Sequence, residues 1–159
     1  MTMSNNGADA ILGRIPSGIY ILTVGSGERA TGMLASWVMQ AGFDPPMVTV
    51  AVKQGRYVCD WISEGQPFVL NVLGESQMAA MAHFGRGFEP GAPAFEDIEI
   101  THCPRGVPIL KEALGHLECE LVGQIDSSDH RVFLAKIVRG NLADDGRPMV
   151  HVRNSGSHY

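Results

Sequence analysis

At 159 residues the chain has the length of one domain, and folding at this size buries roughly two thirds of the unfolded surface, enough for a single core. The formal net charge is -5, with 12 Lys and Arg residues and no basic block, which excludes the phosphate-neutralising surface of a nucleic-acid-binding protein. Hydrophobic residues make up 45%, and the 19 glycines and 9 prolines are typical of short strands joined by turns.

The amino-terminal residues, MTMSNNGADA, are polar, and we expect residues 1–9 to be flexible. They lack the cationic start and apolar segment of a secretory signal, and no run approaches the ~20 apolar residues of a membrane span. Cys59, Cys103 and Cys119 are odd in number and form no CxxC pair, which favours free buried thiols in a reducing compartment. The sequence therefore predicts a cytoplasmic protein, with no membrane partner, in which residues 1–159 form a single domain.

Strands and short helices alternate in the first half of the chain. ILGRIPSGIYILTVG predicts a helical turn ending near Pro16 and then a strand in which apolar residues alternate between two faces. TGMLASWVMQ predicts one continuous strand, with Met33, Ala35, Trp37 and Met39 on one face and Leu34, Ser36, Val38 and Gln40 on the other. Two prolines, Pro45 and Pro46, then interrupt pairing before the strand MVTVAV begins.

The rest of the chain predicts mainly strands joined by hairpins. GRYVCDWISEGQ indicates a helix stopped by Gly65, PFVLNVL a strand, and ESQMAAMAHFGRG a helix closed by glycine. Residues 87–107 predict a long excursion with a short strand at Ile98 to Thr101, and PILKEAL predicts a short helix. GHLECELVGQID, RVFLAKIVRGNL and PMVHV follow as strands, the first two joined by SSDH. These elements predict an antiparallel barrel or sandwich with short interposed helices.

The common catalytic and nucleotide-binding motifs are missing from the sequence. There is no GxGxxG after a strand, no GxxxxGK[ST] and no GxSxG turn, so neither a dinucleotide fingerprint, a P-loop nor a serine nucleophile elbow is expected. The six histidines never fall at HxH or HExxH spacing, and we expect no catalytic metal.

A short loop after the MVTVAV strand carries two cations. Lys53 and Arg56 flank Gly55, and a predicted helix begins at once, so positive side chains and free backbone N–H groups converge there. Such a loop favours a phosphate, although solvated loop charges explain the same spacing.

Polar residues at strand ends form a second candidate group. Ser36 and Gln40 could bind a polar ring system beside Trp37, and Asp129 with His130 stands in a hairpin connection. A serine satisfied by backbone, a core tryptophan and ordinary turn formers account for these residues equally well.

Taken in order, TGMLASWVMQAGFDPPMVTVAVKQGR, PFVLNVL, MAHFGRGF, GVPILKEALGHLECEL, DSSDHRVFLAKIV and HVRNSGSHY resemble the flavin reductase-like family of FMN-binding split-barrel domains. The resemblance runs from about Gly13 to Tyr159. It is greatest to the modules at the C-terminus of cyanobacterial-type flavodiiron proteins, of which this chain resembles a freestanding version. The resemblance implies a mainly β fold, an antiparallel split β-barrel, and a homodimer with FMN between the two subunits.

The resemblance also implies roles for particular residues. The isoalloxazine ring would be lined by Thr31, Gly32, Met33, Leu34, Ala35, Ser36 and Trp37, and the phosphate would be held by Ala51, Val52, Lys53 and Arg56. His83 and Phe84 would complete the pocket, while His130 and Tyr159 would face the nicotinamide side. The family mostly uses a Ser/Thr-rich loop where this chain has KQGR. No catalytic side chain is implied, because hydride passes between two cofactors.

The function implied is an FMN-dependent NAD(P)H:flavin oxidoreductase, with FAD or riboflavin as further flavin substrates and NADH or NADPH as donor. The alternative is an FMN-carrying electron-transfer module that receives electrons from another protein and has no nicotinamide activity. A third reading is a barrel of the same superfamily that binds another ligand such as haem, which an absorption spectrum would distinguish. The sequence assigns neither the preferred nicotinamide nor the electron acceptor.

Overall fold

The computed structural model describes residues 7–159. They form three α-helices, one 3-10 helix (Gly27–Arg29) and eleven strands, and all strand pairs are antiparallel. The helices are α1 (Ala8–Gly13), α2 (Tyr57–Ser63) and α3 (Met78–Gly85). The strands are β1 (Ser17–Gly18), β2 (Tyr20–Val24), β3 (Thr31–Ala35), β4 (Val38–Phe43), β5 (Pro46–Lys53), β6 (Phe68–Val72), β7 (Ile100–His102), β8 (Pro108–Leu110), β9 (Gly115–Ser127), β10 (His130–Leu142) and β11 (Val150–His151).

Seven strands make one curled sheet in the order β3-β2-β6-β9-β10-β5-β4. The two edge strands, β3 and β4, are consecutive in the chain and are separated only by Ser36 and Trp37. Two residues cannot span a flat seven-stranded sheet, so its edges must approach each other at this link. The result is a barrel split between β3 and β4, which confirms the predicted fold class.

The predicted single strand through TGMLASWVMQ is therefore wrong. Its first half pairs with β2, where Thr31 lies opposite Val24, and its second half pairs with β5, where Val38 lies opposite Val50. The alternation of apolar and polar residues continues through Ser36 and Trp37, so the pattern carries no sign of the break. Gln40, expected on the same face as Ser36, is exposed and donates to the carbonyl of Gly42.

Two apolar clusters lie on opposite sides of β2, as its alternation predicts. Leu22 and Val24 pack inside the barrel with Val50, Phe68 and Phe133. On the other side Ile19 and Ile21 pack with Leu73, Phe84 and Leu110, under α3 and the excursion that follows it. This second cluster holds α3 against the split edge of the barrel.

The segment PILKEAL, predicted as a helix, instead supplies β8, which pairs with β7. A buried polar network holds this hairpin to the barrel. Asn71 on β6 accepts the backbone N–H of Leu110 at 2.9 Å and donates to the carbonyl of Ile21, and Thr23 donates to the carbonyl of Pro108 at 2.6 Å. Tertiary hydrogen bonds thus override the local helical preference.

The prediction that the cysteines are free and buried is confirmed for all three. Burial raises the pKa of the Cys119 thiol to about 12 and also raises the pKa of Cys59. Both are therefore protonated and inert near neutral pH. No helix among residues 7–159 is long and apolar enough to cross a membrane.

The segment predicted to be flexible, residues 1–9, falls mostly outside the described residues, which begin at Gly7. Ala8 and Asp9 form the first turn of α1, and Asp9 accepts hydrogen bonds from Ser155 and Ser157 near the C-terminus.

Candidate functional site

A cavity of about 470 Å³ opens where the split edge of the barrel meets α3 and the C-terminus. Its volume lies within the range of small-molecule and cofactor sites. The residues around it are mostly apolar, with two arginines. They are Ile19, Met33, Leu34, Ala35, Ser36, Trp37, Ala51, Arg56, Met81, Phe84, Gly85, Arg86, Gly87, His151 and Tyr159.

One wall is the link between β3 and β4. Ala35, Ser36 and Ala51 have small side chains, so a planar ligand can approach the backbone of the link closely. The N–H of Ala51 donates to the carbonyl of Trp37 at 3.0 Å, which fixes the link against β5. The Ser36 hydroxyl has no hydrogen-bond partner within the described part of the chain and is available to a ligand.

The cavity is also lined by two cations. Arg56, at the start of α2, and Arg86, just after α3, line both this cavity and a neighbouring one of about 360 Å³. Gly55 and Gly87 have φ values of 87° and 74°, a conformation that favours glycine and turns the chain at each arginine. Two arginines that line the same cavity suit a phosphate, because a guanidinium group forms charge-assisted hydrogen bonds with it.

The phosphate residues implied by the resemblance are only partly brought together. Ala51 and Arg56 line the cavity, whereas Lys53 is exposed and lies outside its wall. The Val52 side chain points into the barrel core, so only its backbone faces outward. Arg86 lines the cavity and Lys53 does not, and the sequence analysis did not single out Arg86 because it interpreted FGRGFEPGAP as a loop.

The residues at the end of α3 divide between two environments. Phe84 is buried and lines the cavity, as the resemblance implies. His83 points away from it, and its Nε2 lies 2.8 Å from the carbonyl oxygen of Ala94 in the excursion. His83 therefore holds the excursion to α3 rather than lining the cavity.

The first residues of the β3 segment lie behind the wall. Thr31 and Gly32 are buried, and the Thr31 hydroxyl lies 2.9 Å from the Tyr57 hydroxyl. A Cβ on Gly32 would come 2.8 Å from the Phe84 ring. Gly32 thus allows Phe84 to reach the cavity floor, whereas Met33 to Trp37 face the cavity directly.

An aromatic cluster closes the remaining side. Trp37 packs on His130, with ring centroids 4.6 Å apart, and on Tyr159 at 5.2 Å. His130 Nδ1 lies 2.7 Å from a carboxylate oxygen of Asp129, and its Nε2 is hydrogen-bonded to the Tyr159 hydroxyl. The hydrogen bond from His130 lowers the pKa of Asp129, and burial raises the pKa of Tyr159.

Several residues that line the cavity could not be recognised as site residues from the sequence. Ile19 directly precedes β2, Met81 lies on α3 and His151 on β11, and nothing in the sequence indicated that these three segments meet. Arg86 could have been found, because it stands between two glycines directly after a helix. Among residues 7–159 no group of three or more His, Cys, Asp and Glu side chains could hold a metal ion.

Comparison with known proteins assigns the chain to a family. Residues 12–157 match the model of the flavin reductase like domain. The chain is 41% identical over 150 residues to diflavin flavoprotein A 1 of Synechocystis, covering 93% of this chain and 26% of that protein. It is 39% identical over 153 residues to a putative diflavin flavoprotein A 1 of Thermosynechococcus vestitus, with 95% and 27% covered. The chain thus spans about a quarter of these relatives' length.

Solved structures show the same fold. The styrene monooxygenase flavin reductase of Pseudomonas putida S12 superposes with a TM-score of 0.76 at 26% identity, covering 94% of this chain and 93% of that one. The NADH:FAD oxidoreductase SgcE6 of Streptomyces globisporus C-1027, in complex with NAD and FAD fragments, gives a TM-score of 0.82 at 23% identity, with 94% and 87% covered. The barrel, its split edge and the matched length together show that this chain belongs to the flavin reductase-like domain family.

Proposed function

We propose that this chain is a flavin reductase that binds FMN in the cavity beside Trp37 and transfers hydride to it from NADH or NADPH. The observation that carries the proposal is the shape and chemistry of one cavity. The cavity is lined mostly by apolar residues, and it also holds a free serine hydroxyl and two arginines. Membership of the flavin reductase-like family and the flavin reductases among the structural neighbours support the same function.

The residues present fit FMN part by part. The planar, largely apolar ring system suits the slot between Met33, Leu34 and Phe84, and the Ser36 hydroxyl can bond to its polar edge. Arg56 and Arg86 match the charge of the phosphate. Lys53, which the resemblance assigns to the phosphate, lies outside this cavity wall.

The side chains of the cavity orient the two reactants and do not themselves take part in the reaction. When bound, the flavin supplies the acceptor for the hydride that a nicotinamide carries. Ser36 and Trp37 would hold the flavin against the link between β3 and β4, and the apolar residues around the cavity would exclude water. The side bounded by Trp37 and Tyr159 remains for the second substrate. Holding two reactants face to face supplies much of the rate enhancement in such a transfer.

Stopped-flow mixing tests the proposal directly. We expect the FMN-loaded protein to lose its oxidised flavin absorbance when mixed with NADH or NADPH under anaerobic conditions. The control is free FMN mixed with the same nicotinamide without protein. An oxidised band that persists with both donors would contradict the proposed activity.

A second candidate is an FMN-carrying electron-transfer module without nicotinamide activity, acting on a partner protein. Its support is the identity to diflavin flavoproteins, of which this chain covers only about a quarter. The same stopped-flow experiment separates the two functions. Bound FMN that is reduced by a chemical donor such as dithionite, but by neither nicotinamide, would favour the second candidate.

We also propose that the protein is a homodimer. An outer face of the barrel is largely apolar and consists of Met39, Met47, Ala51, Ile125, Val132 and Leu134, with Thr49 between Met39 and Leu134. The residues of this face on β5 and β10 alternate with core residues, so they point away from the barrel interior. Met39 and Ile125 lie opposite outward-facing residues of these two strands. Ala51 belongs to both this outer face and the cavity wall, which makes a second copy seated on the face a neighbour of the ligand.

The dimer is tested by placing a charge on the outer face. We expect wild-type protein to show the mass of two chains by light scattering, and Leu134→Glu to show the mass of one, because an unpaired charge is costly to bury. Leu142→Glu is the matched control, since Leu142 is exposed near the far end of the same strand. A monomeric wild type, or a dimer that survives Leu134→Glu unchanged, would contradict the proposed interface.

A further inference from the structure

The last eight residues of the chain, Val152 to Tyr159, run from β11 back to the cavity, and we call them the C-terminal strap. They contain no helix or strand. Their order comes from contacts with other parts of the chain at two separate places. One place is α1 at the start of the described residues, and the other is the cluster of His130 and Trp37 at the cavity.

The contact with α1 is dense. Asp9 accepts hydrogen bonds from the Ser155 hydroxyl at 2.8 Å and from the Ser157 hydroxyl at 2.5 Å, and its backbone carbonyl accepts the N–H of Gly156 at 2.7 Å. The Ser155 hydroxyl in turn accepts the N–H of Ser157. The two serine hydroxyls lower the pKa of the Asp9 carboxyl group, as hydrogen bonds to a carboxylate do. One carboxylate therefore organises the middle of the strap.

Further hydrogen bonds to backbone groups add to this contact between α1 and the strap. The N–H of Arg153 donates to the carbonyl of Gly13 at 2.8 Å, and the Arg14 guanidinium donates to the carbonyl of Arg153. A Cβ at Gly156 would overlap the Cβ of Leu12, so only glycine allows the strap to lie this close to α1. These hydrogen bonds connect residues that lie about 140 positions apart in the sequence.

The free end of the strap reaches the cavity. Tyr159 lines it, packs on Trp37 and is hydrogen-bonded to His130 Nε2. The carboxylate of Asp129 can only accept, so His130 Nδ1 donates to it. In the neutral imidazole, Nε2 then accepts the Tyr159 O–H, and the phenol oxygen keeps its lone pairs for a donor in the cavity.

The strap also carries a cation to the same cluster. The Arg153 guanidinium lies over the Trp37 ring, 5.5 Å from its centroid, and donates to the carbonyl of His158 at 2.6 Å. Trp37 is thus covered by Tyr159 and Arg153, both from the strap. Its exposure to solvent depends on whether the strap is docked.

We propose that Asp9 is a positioning residue: by clasping Ser155 and Ser157 it docks the C-terminal strap, so that Tyr159 forms the second-substrate wall of the cavity. The consequence for turnover rests on the proposed function, because the second substrate there is the nicotinamide. The docking of the strap onto α1 does not depend on the proposed function. Asp9 lines neither cavity, so its proposed effect on the second substrate is transmitted through the strap.

The docking is tested in ligand-free protein by acrylamide quenching of Trp37 fluorescence. Trp61 is replaced by Phe in every variant so that Trp37 is the single emitter. We expect Asp9→Ala to lose the protection of Trp37 and to be quenched as strongly as a variant ending at Arg153. Ser155→Ala with Ser157→Ala should give the same increase, and combining it with Asp9→Ala should add nothing further.

Asp145→Asn serves as the matched control, because it removes an exposed carboxylate that has no contact with the strap. A purely structural role for Asp9 would lower the melting temperature and leave the quenching of Trp37 in the folded protein unchanged. Quenching in Asp9→Ala equal to that of wild type therefore overturns the proposal, and the double serine variant answers the question if Asp9→Ala does not fold.

Steady-state kinetics on variants that keep Trp61 then test whether the docked strap contributes to binding of the second substrate. We expect Asp9→Ala to raise the KM for NADH or NADPH roughly threefold to tenfold, the factor for losing one uncharged hydrogen bond, with FMN affinity unchanged. An increase in the Kd for FMN with KM unchanged would overturn the assignment of Tyr159 to the second-substrate wall. If wild type reacts with neither nicotinamide, the proposed function fails, while the quenching experiment still decides the docking of the strap.

Discussion

Replacing Arg56 and Arg86 together by alanine is expected to raise the Kd for FMN by at least roughly tenfold, because charge-assisted hydrogen bonds contribute about 1.5–3 kcal/mol each. Both arginines line the cavity and also the neighbouring one of about 360 Å³. Fluorescence titration of FMN with the wild-type and variant proteins measures the change.

Riboflavin provides the control ligand, since it has the ring but lacks the phosphate. Its affinity should be nearly the same for the double variant and for wild type. Lys53→Ala provides the control protein, because Lys53 is a cation of the same loop that lies outside the cavity wall. An equal loss of riboflavin and FMN affinity, or a comparable effect of Lys53→Ala, would contradict the assignment of the phosphate to the two arginines.

Asn71→Ala is expected to lower the free energy of unfolding by about 3 kcal/mol, since it leaves the buried N–H of Leu110 and the carbonyl of Ile21 without their side-chain partner. At this chain length that loss corresponds to a decrease in Tm of roughly 6–12 °C. Thermal unfolding followed by circular dichroism measures it. The large effect follows because Asn71 is fully buried and joins β2, β6 and β8.

The matched control is Asn141→Ala on β10, where the side chain is exposed. We expect a change within about 0.5 kcal/mol there, as for most surface substitutions. If Asn71→Ala unfolds at the temperature of Asn141→Ala, the network does not stabilise the excursion. Thr23→Val would then be expected to cost nothing as well, although its hydroxyl donates to Pro108.

The alternation of side chains along the chain predicted the strands in which both faces are buried. Ile19 to Val24 is an example, because its two sets of apolar side chains enter two different clusters. The helix at Tyr57 was equally clear, since its buried residues recur at helical spacing and Gly65, with φ 96°, ends it. These features depend on neighbours in the chain.

The candidate site could be predicted only where one continuous segment builds it. Met33 to Trp37 form such a segment, and the resemblance pointed to it. Arg86 was missed because its importance comes from lining the same cavity as Arg56, a residue thirty positions earlier in the chain. The hydrogen bond between Ser155 and Asp9 joins the two ends of the described chain, and no local sequence pattern can indicate such a contact.

The sequence by itself determined the class of the fold, the order of most strands, the free state of the cysteines and, through resemblance, the family. Short-range alternation, glycine and proline turns and a matching order of motifs are sufficient for these, because each is set by residues close in the chain. Only the tertiary structure decided that the strand through Ser36 breaks, that PILKEAL pairs as a strand, and that Tyr159 rests on His130. Each of these depends on hydrogen bonds between distant segments, and such bonds outweigh local propensity where the groups are buried.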